Sequence, residues 1–116
     1  MASNLKIFHN PRCSKSRQAL AILQEKKLEP QIIEYLKVGI DKKEMEQIII
    51  NSSLAPDTFI RKKEKEFEDF CTTEKFTAKS VAQILHDCPK LLERPLLLID
   101  KKVIIARPPE LINTML

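Results

Sequence analysis

The sequence contains no tryptophan, one tyrosine and one glycine, and aromatic residues make up only 5% of its 116 positions. Proteins that bind single-stranded nucleic acid stack the bases on aromatic side chains beside a concentrated basic surface. Five phenylalanines and a dispersed net charge of +4 supply neither feature. We therefore expect no nucleic-acid partner, although the mild positive charge favours small anions.

Long apolar runs are missing as well. No stretch approaches the roughly 20 residues that a membrane-spanning helix needs, and the opening "MASNLKIFHN" lacks the apolar core of a secretion signal. We expect a cytoplasmic protein that does not associate with membranes and acts as a monomer. With 43% hydrophobic residues, a chain of this length can bury one core, so a single domain over residues 1–116 is predicted.

Cysteine is scarce, with three residues at positions 13, 71 and 88. An odd number without an export signal indicates reduced thiols rather than a disulfide framework. No Cys-x-x-Cys pair occurs, and His86-Asp87-Cys88 has no matching second pair of ligands, so neither a metal site nor a bound cofactor is expected. Cys71 and Cys88 fall on apolar faces of predicted helices and are interpreted as core residues.

Hydrophobic periodicity predicts a mixed α/β fold. The pattern indicates a strand over residues 4–8, a helix over 14–27 and a second strand in "QIIEYL", which Gly39 closes. This strand–helix–strand unit implies a parallel pair, because parallel neighbours need a crossover. Near the end, "RPLLLID" and "KVIIA" predict an antiparallel hairpin.

Helices are predicted between and after these strands. Asp41 is suited to cap one helix, residues 56–71 look helical, and Thr77 is suited to cap another. Pro108-Pro109 suits the first turn of a last helix. The predicted order is β-α-β, a helical insertion, then β-β-α.

"HNPRCSKSRQAL", from His9 to Leu20, places Cys13 at the predicted start of the first helix. A thiol reacts as its thiolate, and free N–H groups and the helix dipole favour an anion at that point. His9 is placed either to shift the pKa of the Cys13 thiol or only to end the first predicted strand. The alternative for Cys13 is a small buried hydrophobe, but its neighbours are basic or hydroxylated: Arg12, Ser14, Lys15, Ser16 and Arg17.

The residue at position 16 determines which redox chemistry Cys13 can carry out. A Cys-x-x-Cys motif would place its second thiol there, but the residue is Ser16. Cys13 cannot close a disulfide within its own motif, so a catalytic Cys13 needs an outside thiol to resolve its adduct.

Three segments, "IFHNPRCSKSR", "FIRKKEKEF" and "ERPLLLIDKKVIIARPPE", together resemble the glutaredoxin-coupled arsenate reductases over essentially the whole chain. The specific motifs are Asn10-Pro11-x-Cys13, Arg94-Pro95 and Arg107-Pro108. The resemblance implies a thioredoxin-like β-α-β … β-β-α sandwich with a helical insertion between the second and third strands. It also implies a cis peptide bond at Arg94–Pro95 that places Arg94 beside the thiol.

The resemblance further implies a reaction. The family's cysteine, here Cys13, attacks arsenate, glutathione joins the adduct, and glutaredoxin completes the release of arsenite. The anion-binding arginines fall on Arg61, Arg94 and Arg107, whose planar guanidinium groups match tetrahedral oxyanions. The family's histidine near the thiol falls on His9, and its serine hydrogen-bonded to the thiol falls on Ser16.

The segment around Cys13 also departs from the family pattern. The best-known members follow the cysteine with glycine-threonine-serine, where this chain has Ser14-Lys15-Ser16, and Arg12 replaces a small residue. These changes leave open a glutathione-dependent thiol oxidoreductase with another substrate. A regulator that binds RNA polymerase is a third alternative, but such proteins typically carry the Cys-x-x-Cys switch that Ser16 removes.

Overall fold

The computed structural model describes residues 5–70, 75–100, 102–106 and 109–115. Within these residues the strands are β1 Leu5–Phe8, β2 Gln31–Ile33, β3 Leu96–Ile99 and β4 Lys102–Ile105. The α-helices are α1 Ser14–Glu25, α2 Tyr35–Val38, α3 Lys42–Ser52, α4 Glu66–Phe70, α5 Ala78–Asp87 and α6 Leu111–Met115. None of these helices is long and apolar enough to cross a membrane.

The chain divides into two compact units. The first holds the sheet and consists of the residues up to Val38 together with those from Arg94 onward, whereas the second is Gly39–Glu93. Each unit has its own helices.

The four strands of the first unit form one sheet in the order β2-β1-β3-β4. Strand β1 runs parallel to β2, with Ile7 opposite Ile32, and antiparallel to β3, with Ile7 opposite Leu97. Strands β3 and β4 are antiparallel, with Leu97 opposite Ile104. The predicted parallel pair and the predicted hairpin are both confirmed.

One face of this sheet carries the core of the first unit. Ala19 and Leu23, one helical turn apart on α1, are fully buried in it. The remaining members come from the sheet and from the segment after it: Leu5, Ile7, Leu97, Ile104, Ala106 and Ile112. Because this cluster anchors α1 against the sheet, the loop between β1 and α1 is held at the carboxyl end of β1.

The second predicted strand is only partly correct. Strand β2 ends at Ile33, and the rest of "QIIEYL" enters the short helix α2. The ladder stops there because β1 ends opposite Ile33, where the N–H of His9 makes a last bond to the Ile33 oxygen at 2.8 Å. Gly39 follows α2 with φ +82°, a left-handed conformation that commonly ends a helix, so it does not close a strand.

Two capped helices organise the second unit. Asp41 caps α3 as predicted, its carboxylate accepting from the Glu44 N–H at 2.8 Å. Thr77 caps α5 in a reciprocal capping box with Ser80. Helices α3 and α5 pack together through buried apolar residues: Met45, Ile48, Ile49, Val81, Ala82, Ile84 and Leu85.

The predicted helix over residues 56–71 is wrong in its middle. Pro56–Phe59 forms a short 3-10 turn and α4 begins only at Glu66. Between them Ile60 is extended and forms a β-bridge with Leu92. The Arg61 N–H donates to the Leu91 oxygen at 2.8 Å, so tertiary pairing replaces helical hydrogen bonds here. Cys71 lies outside the described residues.

Candidate active site

Cys13 stands between the sheet and α1 in the first unit. It is the N-cap residue of α1, with an extended backbone (φ −94°, ψ 122°), and its side chain is half-buried. Its carbonyl accepts the first helical hydrogen bond, from the Arg17 N–H at 3.0 Å. The sulfur therefore lies at the positive end of a 12-residue helix, where an anion is favoured.

The environment of the Cys13 thiol lowers its pKa. Burial is the largest single influence and by itself raises the pKa, but hydrogen-bond donors and charge outweigh it. The backbone N–H of Ser16, the charge of Arg94 and the backbone N–H of Lys15 each lower the pKa, and a hydrogen bond from Arg94 adds to them. A larger fraction of Cys13 is therefore thiolate near neutral pH, which is the nucleophilic form.

Arg94 belongs to the same unit and lies just before β3. The Arg94–Pro95 peptide bond is cis, as the family resemblance implied. The Nε and Nη1 atoms of Arg94 are buried, and its guanidinium stabilises the Cys13 thiolate by both charge and hydrogen bonding. A partly buried guanidinium beside a thiolate is suited to hold an oxyanion where it would meet the sulfur.

The loop before Cys13 is held by its own hydrogen bonds. The Asn10 side-chain oxygen accepts from the Arg12 N–H, and the Asn10 carbonyl accepts from the Cys13 N–H, each at 3.0 Å. Arg17 donates from Nη1 to the Pro11 carbonyl at 2.9 Å. The side chain of Arg12 is exposed. These bonds fix the backbone on which the thiol is presented.

His9 and Ser16 form a buried pair behind this loop. Ser16 is fully buried and His9 is 6% exposed. The Ser16 hydroxyl oxygen lies 2.7 Å from His9 Nδ1 and accepts from the Asn10 N–H at 3.0 Å. The Ser16 hydroxyl therefore joins His9 Nδ1 to the Asn10 N–H, and the tautomer of the imidazole sets which of the two side chains donates.

The charge state of His9 agrees with this arrangement. Burial lowers the pKa of His9, the Glu34 carboxylate opposes that shift, and the charge of Arg17 adds to it. His9 is therefore neutral at neutral pH. Ser16 stabilises the sulfur through its backbone N–H, whereas its hydroxyl oxygen lies against His9 Nδ1.

Replacing Ser16 with alanine is expected to lower the free energy of unfolding by about 1–3 kcal/mol. The substitution leaves the Asn10 N–H and His9 Nδ1 without the oxygen that joins them. Urea unfolding of wild type and variant would measure the difference. Ser14→Ala is the matched control, since Ser14 is exposed and its loss should change stability by less than about 0.5 kcal/mol. Equal losses in the two variants would contradict a structural role for the pair.

Arg61 lies in the second unit and is engaged locally. Its Nη1 atom forms an ion pair with Glu64 at 2.8 Å, and the side chain is 25% exposed. Lys90 joins the same cluster, 3.7 Å from Glu64 and 3.0 Å from Glu66. Arg107 lies outside the described residues. The first unit therefore brings together Cys13, His9, Ser16 and Arg94, and the roles predicted for Arg61 and Arg107 stay predictions.

Cys88 is as buried as Cys13 but differs from it in helix position and in the direction of its pKa shift. It ends α5 and is half-buried, so the prediction of a core residue on the helix face is wrong. Burial and the Glu66 carboxylate raise the pKa of the Cys88 thiol. Among the described residues, no group of three or more His, Cys, Asp or Glu side chains is placed to hold a metal ion.

Glu34 is a neighbour of the site that the sequence reasoning did not single out. It follows β2 as His9 follows β1, and its charge acts on His9. The carboxyl ends of parallel strands lie at the same edge of a sheet, so the predicted parallel pair was the signal that could have identified it.

Known proteins resemble this chain over nearly its full length. A model of the ArsC family matches residues 8–115. The uncharacterized protein YfgD of Escherichia coli K12 is 34% identical over 95% of this chain and 94% of its own. An arsenate reductase of Neisseria meningitidis is 34% identical over 97% of each chain.

The fold agrees with these sequence relationships. A solved structure of an arsenate reductase from Vibrio cholerae superposes over the whole of both chains with a TM-score of 0.90 at 29% identity. The four-stranded sheet and its helices are those of the thioredoxin-like α/β fold. The chain therefore belongs to the ArsC family, the family of the arsenate reductases.

Proposed function

We propose that this protein reduces arsenate to arsenite through Cys13, with glutathione and glutaredoxin supplying the electrons. The observation that carries the proposal is the Cys13 thiol itself, whose pKa the α1 N-terminus and Arg94 lower. Relatives named arsenate reductase at 34% identity support the choice of substrate. The reduced thiols that the reaction needs fit a cytoplasmic location.

The first step is a displacement at arsenic. The Cys13 thiolate forms a sulfur–arsenic bond, one arsenic–oxygen bond breaks, and the departing hydroxide takes a proton from solvent to become water. Arg94 and the free N–H groups at the start of α1 stabilise the negative charge on the remaining oxygens. Arsenic is still pentavalent at this stage.

External thiols then complete the reduction. Glutathione forms a second sulfur–arsenic bond and displaces another oxygen as water. A glutaredoxin thiolate attacks the glutathione sulfur, so that a disulfide bond forms and the electron pair of the broken sulfur–arsenic bond stays on arsenic. Arsenic becomes trivalent as two sulfurs are oxidised, and hydrolysis releases arsenite from Cys13. Ser16 cannot act as the resolving thiol, which is why the chain needs these partners.

The three arginines have distinct parts in this proposal. Arg94 would hold the oxyanion at the thiol, and Arg61 and Arg107 would add positive charge around it. Arg61 would have to exchange its partner Glu64 for the oxyanion. That exchange is feasible because both side chains of the pair are partly exposed, at 25% and 22%, and such pairs are weak.

A coupled assay tests the proposal. NADPH oxidation is followed with glutathione, glutathione reductase and glutaredoxin, and we expect a rate that depends on both arsenate and the amount of enzyme. Phosphate is the matched control, since it has the same shape and charge but is not reduced by thiols. If arsenate produces no more NADPH oxidation than phosphate, the protein is not an arsenate reductase. Turnover of a glutathione mixed disulfide in that same preparation would favour the thiol oxidoreductase.

A further inference from the structure

Four charged side chains of the second unit lie together and are called the Arg61 cluster: Arg61, Glu64, Glu66 and Lys90. Arg61 Nη1 lies 2.8 Å from Glu64 Oε1. Lys90 Nζ lies 3.7 Å from the other Glu64 oxygen, Oε2, and 3.0 Å from Glu66 Oε1. The Glu64 carboxylate therefore stands between two cations, one beside each of its oxygens.

Backbone hydrogen bonds hold the parts of the Arg61 cluster in place. The Arg61 N–H donates to the Leu91 oxygen at 2.8 Å, and the Glu64 N–H donates to the Arg61 oxygen at 3.2 Å. Leu91 follows Lys90 in the chain, so the first bond also brings Lys90 beside the turn that carries Glu64. The β-bridge between Ile60 and Leu92 reinforces this pairing. With the backbone fixed, a change of partner in the cluster needs only side-chain rotation.

The two contacts of Glu64 differ in strength. The bond to Arg61 is short, whereas Lys90 lies 3.7 Å away with a side chain that is 55% exposed. Ion pairs exposed to this degree are weak and readily rearranged. Lys90 is therefore positioned to approach Glu64 more closely if Arg61 leaves. Lys90 stays protonated at neutral pH, since pairing with Glu66 and Glu64 raises its pKa.

We propose that Glu64 and Lys90 are positioning residues that set how readily Arg61 binds the oxyanion substrate. Without substrate, Glu64 holds the Arg61 guanidinium. When an oxyanion takes that guanidinium, the Glu64 carboxylate moves to Lys90, which compensates its charge. This assignment rests on the proposed function for the role of Arg61, but the contacts within the Arg61 cluster do not depend on it.

Substitutions of the two residues should have opposite effects on KM for arsenate. Glu64→Gln removes the group that competes for Arg61, so KM should fall by about threefold. Lys90→Gln leaves Arg61 as the cation for Glu64, so KM should rise by about threefold, the scale of one partly exposed ion pair. We expect kcat to stay at the wild-type value in both variants, because neither side chain touches the reacting atoms. The coupled assay at varied arsenate measures both constants.

A double variant separates this exchange from a general effect of charge. Adding Lys90→Gln to Glu64→Gln should leave KM where Glu64→Gln sets it, because no carboxylate remains for Lys90 to receive. Charge acting at a distance would instead give additive changes. Lys63→Gln is the matched control, since Lys63 is exposed, two residues from Arg61 and outside the Arg61 cluster. Additive changes, or a rise in KM for Lys63→Gln equal to that for Lys90→Gln, would overturn the assignment.

Binding of inorganic phosphate tests the exchange without turnover. Phosphate titrated into the full-length protein should shift the NMR signal of the Arg61 Nε–H group. The Kd should be about threefold lower in Glu64→Gln and about threefold higher in Lys90→Gln than in wild type. If these Kd values hold but arsenate is not reduced, the proposed function alone fails. An active reductase whose KM and phosphate Kd are the same in all three proteins would defeat the assignment of Glu64 and Lys90 alone.

Discussion

Cys13→Ser is expected to reduce arsenate-dependent NADPH oxidation by at least about 10³-fold. A serine hydroxyl stays protonated at neutral pH even beside Arg94 and the start of α1, so no nucleophile is available and no bond to arsenic forms. The coupled assay measures this loss directly. Circular dichroism of the variant would establish whether the fold is intact.

Cys88→Ser is the matched control for this prediction. Cys88 is also half-buried, but burial and Glu66 raise the pKa of its thiol, so we expect its loss to leave turnover at the wild-type rate. If Cys88→Ser abolished turnover and Cys13→Ser did not, the assignment of the nucleophile would be wrong.

The pH dependence of alkylation gives an independent check. Iodoacetamide reacts with the thiolate, so the rate at Cys13 should fall as the pH is lowered through the pKa of that thiol. Because that pKa is lowered, the midpoint should lie below that of an unperturbed cysteine thiol. Cys88, whose pKa is raised, should titrate above it.

Most of the fold follows from apolar patterning in the sequence. Leu5 and Ile7 alternate toward the core on β1, and Ala19 and Leu23 recur at helical spacing on α1, so local pattern and tertiary position agree. The two errors in predicted secondary structure lie where pairing with residues elsewhere in the chain determines the backbone conformation. Strand β2 stops because β1 ends, and Ile60 is extended because Leu92 pairs with it. Neither partner is adjacent in sequence.

The candidate active site also has one feature that the sequence predicts and one that depends on tertiary contacts. Cys13 at a helix start could be identified from its own neighbours, because the basic and hydroxylated residues surround it in sequence. The direction of the Ser16 hydroxyl could not, since it depends on His9 and the Asn10 N–H, which only the turn after β1 brings to the same point.

Arg94→Ala is expected to lower arsenate-dependent kcat/KM by about 10²–10³-fold, the usual cost of removing a donor that stabilises charge at a reaction centre. It should also raise the pKa of Cys13, because the charge and the hydrogen bond of Arg94 both lower that pKa now. Ultraviolet absorbance of the thiolate measures this pKa in a Cys71→Ala/Cys88→Ala background, where Cys13 is the only thiol. Lys26→Ala, at an exposed cation outside the site, should leave the titration unchanged.

The two roles of Arg94 can be separated by pH. Cys13 becomes anionic above its pKa, so raising the pH beyond the higher pKa of the alanine variant restores the thiolate but not the guanidinium. If Arg94 acted only on the thiol, kcat/KM would return to the wild-type value at that pH. We expect a residual loss, because the oxyanion still lacks its planar partner. Arg94→Lys should keep much of the effect on the pKa of Cys13 and still show part of that residual loss, since a lysine supplies the charge without the two-point geometry. Full recovery of Arg94→Ala at high pH would show that Arg94 does not bind the substrate.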